Sequence, residues 1–285
     1  MNPATAAAHA APGDRGEAMF DLFRRPQGRS RTRPDERAVV ESARISELAA
    51  DGKVAVVYRW GDGERPVLLV HGWESRASRY AKTVARLVEL GYSPVAFDAP
   101  GHGEATGDGT TLLEYRDIIV ELHRAHGDFE AIIGHSFGVI ATYVALQHGV
   151  RAGRVVAISP VPDFGYLVDS FSRAARLSEP ADQELRGRIE REVYPGERDM
   201  WTRFSVFHGT AGLHVPLLVV HDEDDRAVDP GQGARMAEFF GARLVTTRRF
   251  GHLRILGAPQ VVQEITEFVT AGALEPGRKT EVVAG

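Results

Sequence analysis

The sequence of 285 residues contains no cysteine, so disulfide bridges, thiolate nucleophiles and cysteine-ligated zinc sites are excluded within this chain. It also lacks a basic excess, because its formal net charge is −5 at pH 7. A nucleic-acid partner is therefore not expected. No apolar run approaches the roughly 20 residues of a membrane helix. The N-terminus lacks the pattern of a secretory signal. We expect a cytoplasmic globular protein without membrane contact, of an oligomeric state that the sequence leaves open.

The two ends of the sequence differ in composition from its middle. Residues 24–37 hold six arginines together with Pro26, Gly28 and Pro34. Proline, glycine and like charges all oppose packing. We therefore expect a partly flexible N-terminal tail over residues 1–37 and a C-terminal tail over residues 274–285. The alternative for the arginine run is a binding site for an acidic partner.

From residue 38 onward, short apolar runs rich in β-branched residues alternate with helical segments. The predicted strands are 53–60, 66–72, 93–101, 129–134, 154–160, 216–222 and 242–247. Near-continuous apolar strands separated by helices are typical of an α/β protein with a mostly parallel sheet, covered by helices on both faces. Functional residues of such a sheet lie at the carboxyl ends of its strands.

One strand-to-helix junction has an unusual sequence, GHSFG, at residues 134–138. Gly134 and Gly138 remove β-carbons where the chain must reverse sharply from a strand into a helix. This leaves Ser136 at the tip of the turn. The pattern is that of a Gly-x-Ser-x-Gly nucleophile elbow, in which the serine hydroxyl is exposed at the start of a helix.

A serine hydroxyl needs a base to take its proton and an acid to orient that base. His252 follows the last predicted strand, and carboxylates at 222–225 follow the strand before it. The backbone N–H groups of Trp73, after an early strand, and of Phe137 are candidates for an oxyanion hole. The order of nucleophile, acid and histidine is that of the α/β-hydrolases.

Five segments carry a resemblance to a known family: HGW at 71–73, DAPGHG at 98–103, GHSFG at 134–138, DEDDRAV at 222–228 and GH at 251–252. With these segments in family order, the chain resembles the α/β-hydrolase-fold serine hydrolases over about residues 45–272. The resemblance implies a core of residues 38–160 and 214–273, a Ser136–Asp225–His252 triad, and neither cofactor nor metal. Glu104-Ala105 stands where the family usually has a serine, in a turn that is structural.

Four adjacent acids could serve as the acid of the triad. Asp225 fits best, because the family commonly has an apolar residue and then a short helix soon after its aspartate. Here Val228 is the apolar residue, and Pro230 stands where the helix would begin. Asp224 is the nearest rival, and Asp222 is too close to the strand. Asp163 is a minor alternative, because some relatives draw their acid from the preceding strand. A cation site is the other interpretation of this acidic run, but it lacks the spacing of a calcium loop.

About 50 residues, 161–213, separate two strands that a bare α/β unit joins with roughly a dozen. In this family such an insertion is a helical cap over the serine. Together with Trp73, the aromatic residues of the cap are the candidate substrate contacts, although packing of the cap on the core would explain many of them: Phe164, Tyr166, Phe171, Trp201 and Phe204.

These features together predict a cofactor-independent serine hydrolase. Its substrate would be a carboxylic ester or thioester with a small or medium apolar acyl or aryl group. One alternative is a type II thioesterase-like editing enzyme, for which acyl carriers would be the substrates. Another is a catalytically silent α/β-hydrolase that binds a ligand or a protein.

Overall fold

The computed structural model describes residues 12–209 and 215–271. In this part of the chain, eight strands form one sheet in the order β1-β2-β4-β3-β5-β6-β7-β8. β1 and β2 run antiparallel to their neighbours, and all other pairs are parallel, which confirms the predicted mostly parallel sheet. The strands are β1 (Arg44–Ala50), β2 (Lys53–Arg59), β3 (Pro66–Val70), β4 (Ser93–Asp98), β5 (Ala131–His135), β6 (Val155–Ile158), β7 (Leu217–Asp222) and β8 (Arg243–Thr247).

Helices cover both faces of this sheet. Because successive strand residues point to opposite faces, Leu68 and Val70 of β3 join one apolar core, and Val67 and Leu69 join the other. The helices are α1 (Pro12–Arg24), α2 (Arg37–Glu41), α3 (Ala81–Glu89), α4 (Leu112–His126), α5 (Phe137–Gln147), α6 (Phe164–Ala175), α7 (Glu179–Arg188), α8 (Met200–Arg203), α9 (Pro230–Phe240), α10 (Gly251–Arg254) and α11 (Pro259–Thr270). None of the helices described is long and apolar enough to cross a membrane.

The cap begins after β6. Its described part, residues 161–209, contains α6, α7, a turn of π-helix (Ile189–Val193) and α8. Asp163 begins α6, because its carboxylate accepts a hydrogen bond from the Tyr166 N–H at 2.6 Å. Residues 210–213 of the predicted cap lie outside the described residues.

Residues 12–37 differ from the predicted flexible tail, and Arg37 is the first residue of α2. Met19 and Phe20 of α1 are buried. The segment that follows, residues 25–36 and called the strap below, is bound to the core, and Arg29 donates to the Gly103 carbonyl at 3.1 Å. Arginines that were expected to repel one another thus donate to backbone carbonyl oxygens. The remaining predicted tail residues, 1–11 and 274–285, lie outside the described residues.

A buried ion pair joins two loops at the carboxyl end of the sheet. Asp98, at the end of β4, lies 3.1 Å from the guanidinium of Arg76, and both side chains are almost completely buried. The same carboxylate accepts hydrogen bonds from the Tyr58 hydroxyl at 3.0 Å and from the backbone N–H groups of Ala77 and Glu104. These bonds compensate for the removal of the carboxylate from water.

We expect Arg76→Ala to lower the free energy of unfolding by about 3–5 kcal/mol, because it leaves the buried Asp98 carboxylate without its counter-charge. The matched control is Arg86→Ala, which removes an exposed ion pair with Glu89 and should cost less than about 1 kcal/mol. Urea denaturation of both variants measures the difference. Equal losses would contradict the structural role assigned to Arg76.

Candidate active site

Ser136 lies at the tip of the turn between β5 and α5. Its backbone has φ 54° and ψ −120°, a left-handed conformation that costs energy for any residue except glycine. The turn depends on a close approach of backbone segments, since a β-carbon on Gly138 would lie 2.3 Å from the Val70 carbonyl oxygen. On Gly134 it would lie 3.1 Å from the Gly138 carbonyl oxygen. The geometry is that of the predicted elbow.

The structure places Asp225 against His252. The Asp225 Oδ2 atom is 2.8 Å from Nδ1 of His252, and the carboxylate is completely buried. Its other oxygen accepts hydrogen bonds from the backbone N–H groups of Ala227 and Val228. Burial by itself would raise the pKa of the Asp225 carboxyl, but the hydrogen bonds from His221 and His252 hold it well below its usual range.

The neighbouring carboxylates make other contacts. Asp224 accepts a hydrogen bond from the Arg249 N–H, and Glu223 pairs with Arg248 at the surface. Asp163 begins α6 and lies 3.6 Å from Arg235. Of the acids considered from the sequence, Asp225 is the one that contacts the imidazole of His252.

Asp222 has a position that the sequence did not indicate. This completely buried carboxylate accepts hydrogen bonds from the backbone N–H groups of Phe250 at 3.1 Å and Gly251 at 2.9 Å, and from the Thr247 hydroxyl at 2.7 Å. It also accepts the Asp224 N–H at 3.1 Å. Asp222 therefore ties the loop that carries Asp225 to the loop that carries His252. The only signal in the sequence was its place at the end of a buried strand.

His135, the residue before Ser136, fixes the other side of His252. Its Nε2–H donates to the His252 carbonyl oxygen at 2.8 Å, and the centres of the two rings are 4.6 Å apart. Burial lowers the pKa of His135 to about 3, so this ring stays neutral at physiological pH. The loop of His252 is thus bonded directly to the elbow.

The backbone N–H groups of Trp73 and Phe137 donate to no protein acceptor among the described residues. Both belong to segments beside Ser136, and their side-chain rings contact each other edge to face with centres 5.8 Å apart. His71 supports the Trp73 loop, because its Nε2 accepts the Ala99 N–H at 3.1 Å. Burial lowers the pKa of His71 to about 4. These free donors could stabilise a developing negative charge.

A cavity of about 1400 Å³ lies beside the elbow, between α1, the start of α4 and the cap. Three of the residues proposed as substrate contacts line it, namely Trp73, Phe164 and Phe171, and so does Phe137. Ser136 itself is not part of the lining, whereas Phe137, the next residue along the chain, is.

The other three predicted contacts, Tyr166, Trp201 and Phe204, do not line the cavity. The Tyr166 hydroxyl accepts the Asp229 N–H at 2.9 Å. Trp201 donates to Glu190, and Phe204 is buried against other aromatic rings. These side chains hold the cap together and attach it to the core.

We expect Asp225→Asn to lower the free energy of unfolding by about 2 kcal/mol at pH 7, because it weakens the hydrogen bonds of a buried carboxylate. Folding lowers the pKa of the Asp225 carboxyl. The stability that the ionised carboxylate contributes is therefore complete above its unfolded-state pKa and is lost as the pH falls toward its folded-state pKa. The gap to wild type should therefore narrow by about 1 kcal/mol between pH 5 and pH 3. Chemical denaturation at several pH values measures this difference in the free energy of unfolding.

The control is Asp224→Asn, at an exposed carboxylate, which should lower the free energy of unfolding less at pH 7. A difference between wild type and Asp225→Asn that does not change with pH would contradict the role assigned to Asp225.

Comparisons with known proteins agree with this fold. A profile of the alpha/beta hydrolase family matches residues 67–264. A non-heme haloperoxidase from Rhodococcus erythropolis is 31% identical over 119 residues, which are 40% of this chain and 43% of that protein. The match thus spans less than half of the relative. A monoacylglycerol lipase from Mycolicibacterium smegmatis is 26% identical over 234 residues, covering 66% of this chain and 81% of the lipase.

Among solved structures, an esterase from Pyrococcus furiosus is similar with a TM-score of 0.62 and 20% identity, covering 87% of this chain and 97% of the esterase. A thioesterase domain from the curacin biosynthetic pathway has a TM-score of 0.55 and 17% identity, with 80% and 98% covered. At such identities these likenesses concern the fold, which is an α/β-hydrolase fold as predicted. Because the family profile spans more than half of the sequence, the chain belongs to the alpha/beta hydrolase family.

Proposed function

We propose that this hydrolase is a serine hydrolase that cleaves a carboxylic ester or thioester with a small or medium apolar acyl or aryl group. The observation that carries the proposal is the 2.8 Å contact between the buried Asp225 carboxylate and Nδ1 of His252, in a loop bonded to the residue before Ser136. The lining of the adjacent cavity by Trp73 and Phe137 supports an apolar substrate.

In the proposed reaction, the Ser136 hydroxyl attacks the carbonyl carbon. Nδ1–H of His252 donates to Asp225, so Nε2 carries the free electron pair and takes the serine proton. The tetrahedral oxyanion accepts hydrogen bonds from the N–H groups of Trp73 and Phe137. The intermediate collapses to an acyl-enzyme while His252 gives its proton to the leaving alcohol or thiol. Water then attacks the acyl-enzyme by the same route and releases the acid.

We expect Ser136→Ala to lower kcat for p-nitrophenyl ester hydrolysis by about 10⁴-fold or more, because it removes the nucleophile. Asp225→Asn should cost about 10⁴-fold, since the imidazole loses the partner that fixes its tautomer. Asp224→Asn is the control and should stay close to wild type. Each variant is checked by circular dichroism.

Two outcomes would contradict the proposal. Hydrolysis by Ser136→Ala at nearly the wild-type rate would exclude Ser136 as the nucleophile. A folded wild-type protein that hydrolyses neither p-nitrophenyl esters nor acyl thioesters would favour the silent binding protein instead. The relative kcat/KM values for an ester and a thioester of the same acyl group identify the leaving group.

Asp222 is a positioning residue in this proposal, because it holds the backbone N–H groups that precede His252. We expect Asp222→Asn to lower kcat by about 10²-fold, since a displacement of about 1 Å at a catalytic group has this effect, with little change in KM. Glu223→Gln, in the same loop but at the surface, is the control. Parallel changes in kcat and KM would contradict a role in positioning alone.

A further inference from the structure

Helix α1 forms one wall of the cavity beside the elbow. Phe20 and Phe23 of this helix line the cavity together with Trp73, Phe137 and the cap residue Phe171. The family profile begins at residue 67, so α1 precedes the matched segment.

Phe23 contacts the cap directly. The centre of its ring lies 5.2 Å from that of Phe171 and 6.1 Å from that of Phe164, in edge-to-face arrangements that are favourable for aromatic pairs. Phe20, on the same helix as Phe23, also contacts the cap: the guanidinium of Arg188 of α7 lies 4.2 Å from the centre of its ring. The N-terminal helix and the cap thus enclose the cavity as one packed surface.

The strap fixes α1 relative to the elbow. The Gln27 N–H donates to the Glu74 carboxylate at 2.7 Å, and Glu74 directly follows Trp73, whose N–H is a proposed oxyanion donor. At the end of α1, Arg25 pairs with Asp108 at 3.2 Å. These two contacts, at the start of the strap, connect the end of α1 to the loops of Glu74 and Asp108.

The cationic charges around the cavity are compensated. Each cationic side chain of the lining lies within 4.0 Å of a carboxylate: Arg24, Arg25, Lys53, Arg116 and Arg188. Among the described residues, none of these is left to receive an anionic group of a substrate. Four aliphatic side chains also belong to the lining: Leu112, Leu113, Leu167 and Val193.

We propose that α1 is part of the acyl-binding site and that the Phe23 ring ends it, so that the preferred substrates carry unbranched aliphatic acyl groups of medium length. The acyl chain passes from Ser136 along the rings of Trp73 and Phe137, lies beside Phe171 and stops at Phe23. This inference rests on the proposed function and names the substrate class of the same site.

The test is the acyl-length profile of p-nitrophenyl esters from acetate to dodecanoate. Removing the ring in Phe23→Ala should raise the ratio of kcat/KM for dodecanoate to that for butyrate by about tenfold, because room for further methylene groups becomes available. The control is Phe268→Ala on α11, which removes a comparably half-buried ring from the opposite core. The ratio of kcat/KM for dodecanoate to that for butyrate in Phe268→Ala should equal that of wild type.

A chemical rescue distinguishes two causes of a changed ratio: the space left by the missing Phe23 ring, and a change in the fold of the variant. The chain has no cysteine, so Phe23→Cys introduces a unique thiol. This variant should raise the ratio as Phe23→Ala does. Reaction of its thiol with benzyl methanethiosulfonate, which restores an aromatic ring, should bring the ratio back toward wild type.

An unchanged ratio in Phe23→Ala and Phe23→Cys, with wild-type hydrolysis dependent on Ser136, would overturn the role of Phe23 and leave the proposed function intact. An equal shift in Phe268→Ala, or no reversal on benzylation, would also overturn it. If wild type hydrolyses none of the esters, the proposed function fails, and the inference fails with it.

Discussion

The sharp turn at Ser136 is the constraint on which the arrangement of the site depends. A left-handed non-glycine residue between a strand and a helix is unfavourable by itself, and it persists here because the surrounding backbone leaves no alternative path. The axis of α5 passes so close to β3 that no β-carbon fits at Gly138. The serine is therefore held at the carboxyl edge of the sheet, with the start of α5 directly behind it.

The elements around this turn are joined to it by buried polar contacts. Asp222 and Asp225 stand at the end of β7, where burial would disfavour their charged forms, yet hydrogen bonds outweigh burial and lower the pKa of both carboxyls. Their donors come from the loops of Asp225 and His252 themselves. The hydrogen bond from His135 to the His252 carbonyl oxygen connects β5 directly to the loop of His252. Rigid placement of this kind is what acyl transfer requires.

The sequence predicted the parts of the fold that have strong local signals. Buried strands such as β3 are continuous apolar runs, and the start of α4 is marked by a capping box of Thr111 and Glu114. β1 was missed because it is a half-exposed edge strand. The burial of Phe20 and the partial burial of Phe23 in α1 depend on the cap, which lies some 140 residues away along the chain, so no local pattern could indicate them.

The site was predictable to a similar extent. The elbow and the order of serine, acid and histidine follow from spacing, and the structure brings Asp225 and His252 together. Spacing could not show that Asp222 holds the histidine loop, because its donors there are the Thr247 hydroxyl and the backbone N–H groups of Phe250 and Gly251. Nor could composition separate the aromatic residues that line the cavity from Trp201 and Phe204, which pack within the cap, since that difference depends on helix orientation.

The central claim is that Ser136 is a nucleophile activated by its surroundings. Treatment with a fluorophosphonate, followed by tryptic digestion and mass spectrometry, tests it most directly, because residues 125–151, which trypsin releases between two arginines, contain a single serine. The account predicts one adduct per chain, on Ser136, and much slower labelling of Asp225→Asn than of Asp224→Asn. An unlabelled folded protein, or an adduct on another peptide, would contradict it.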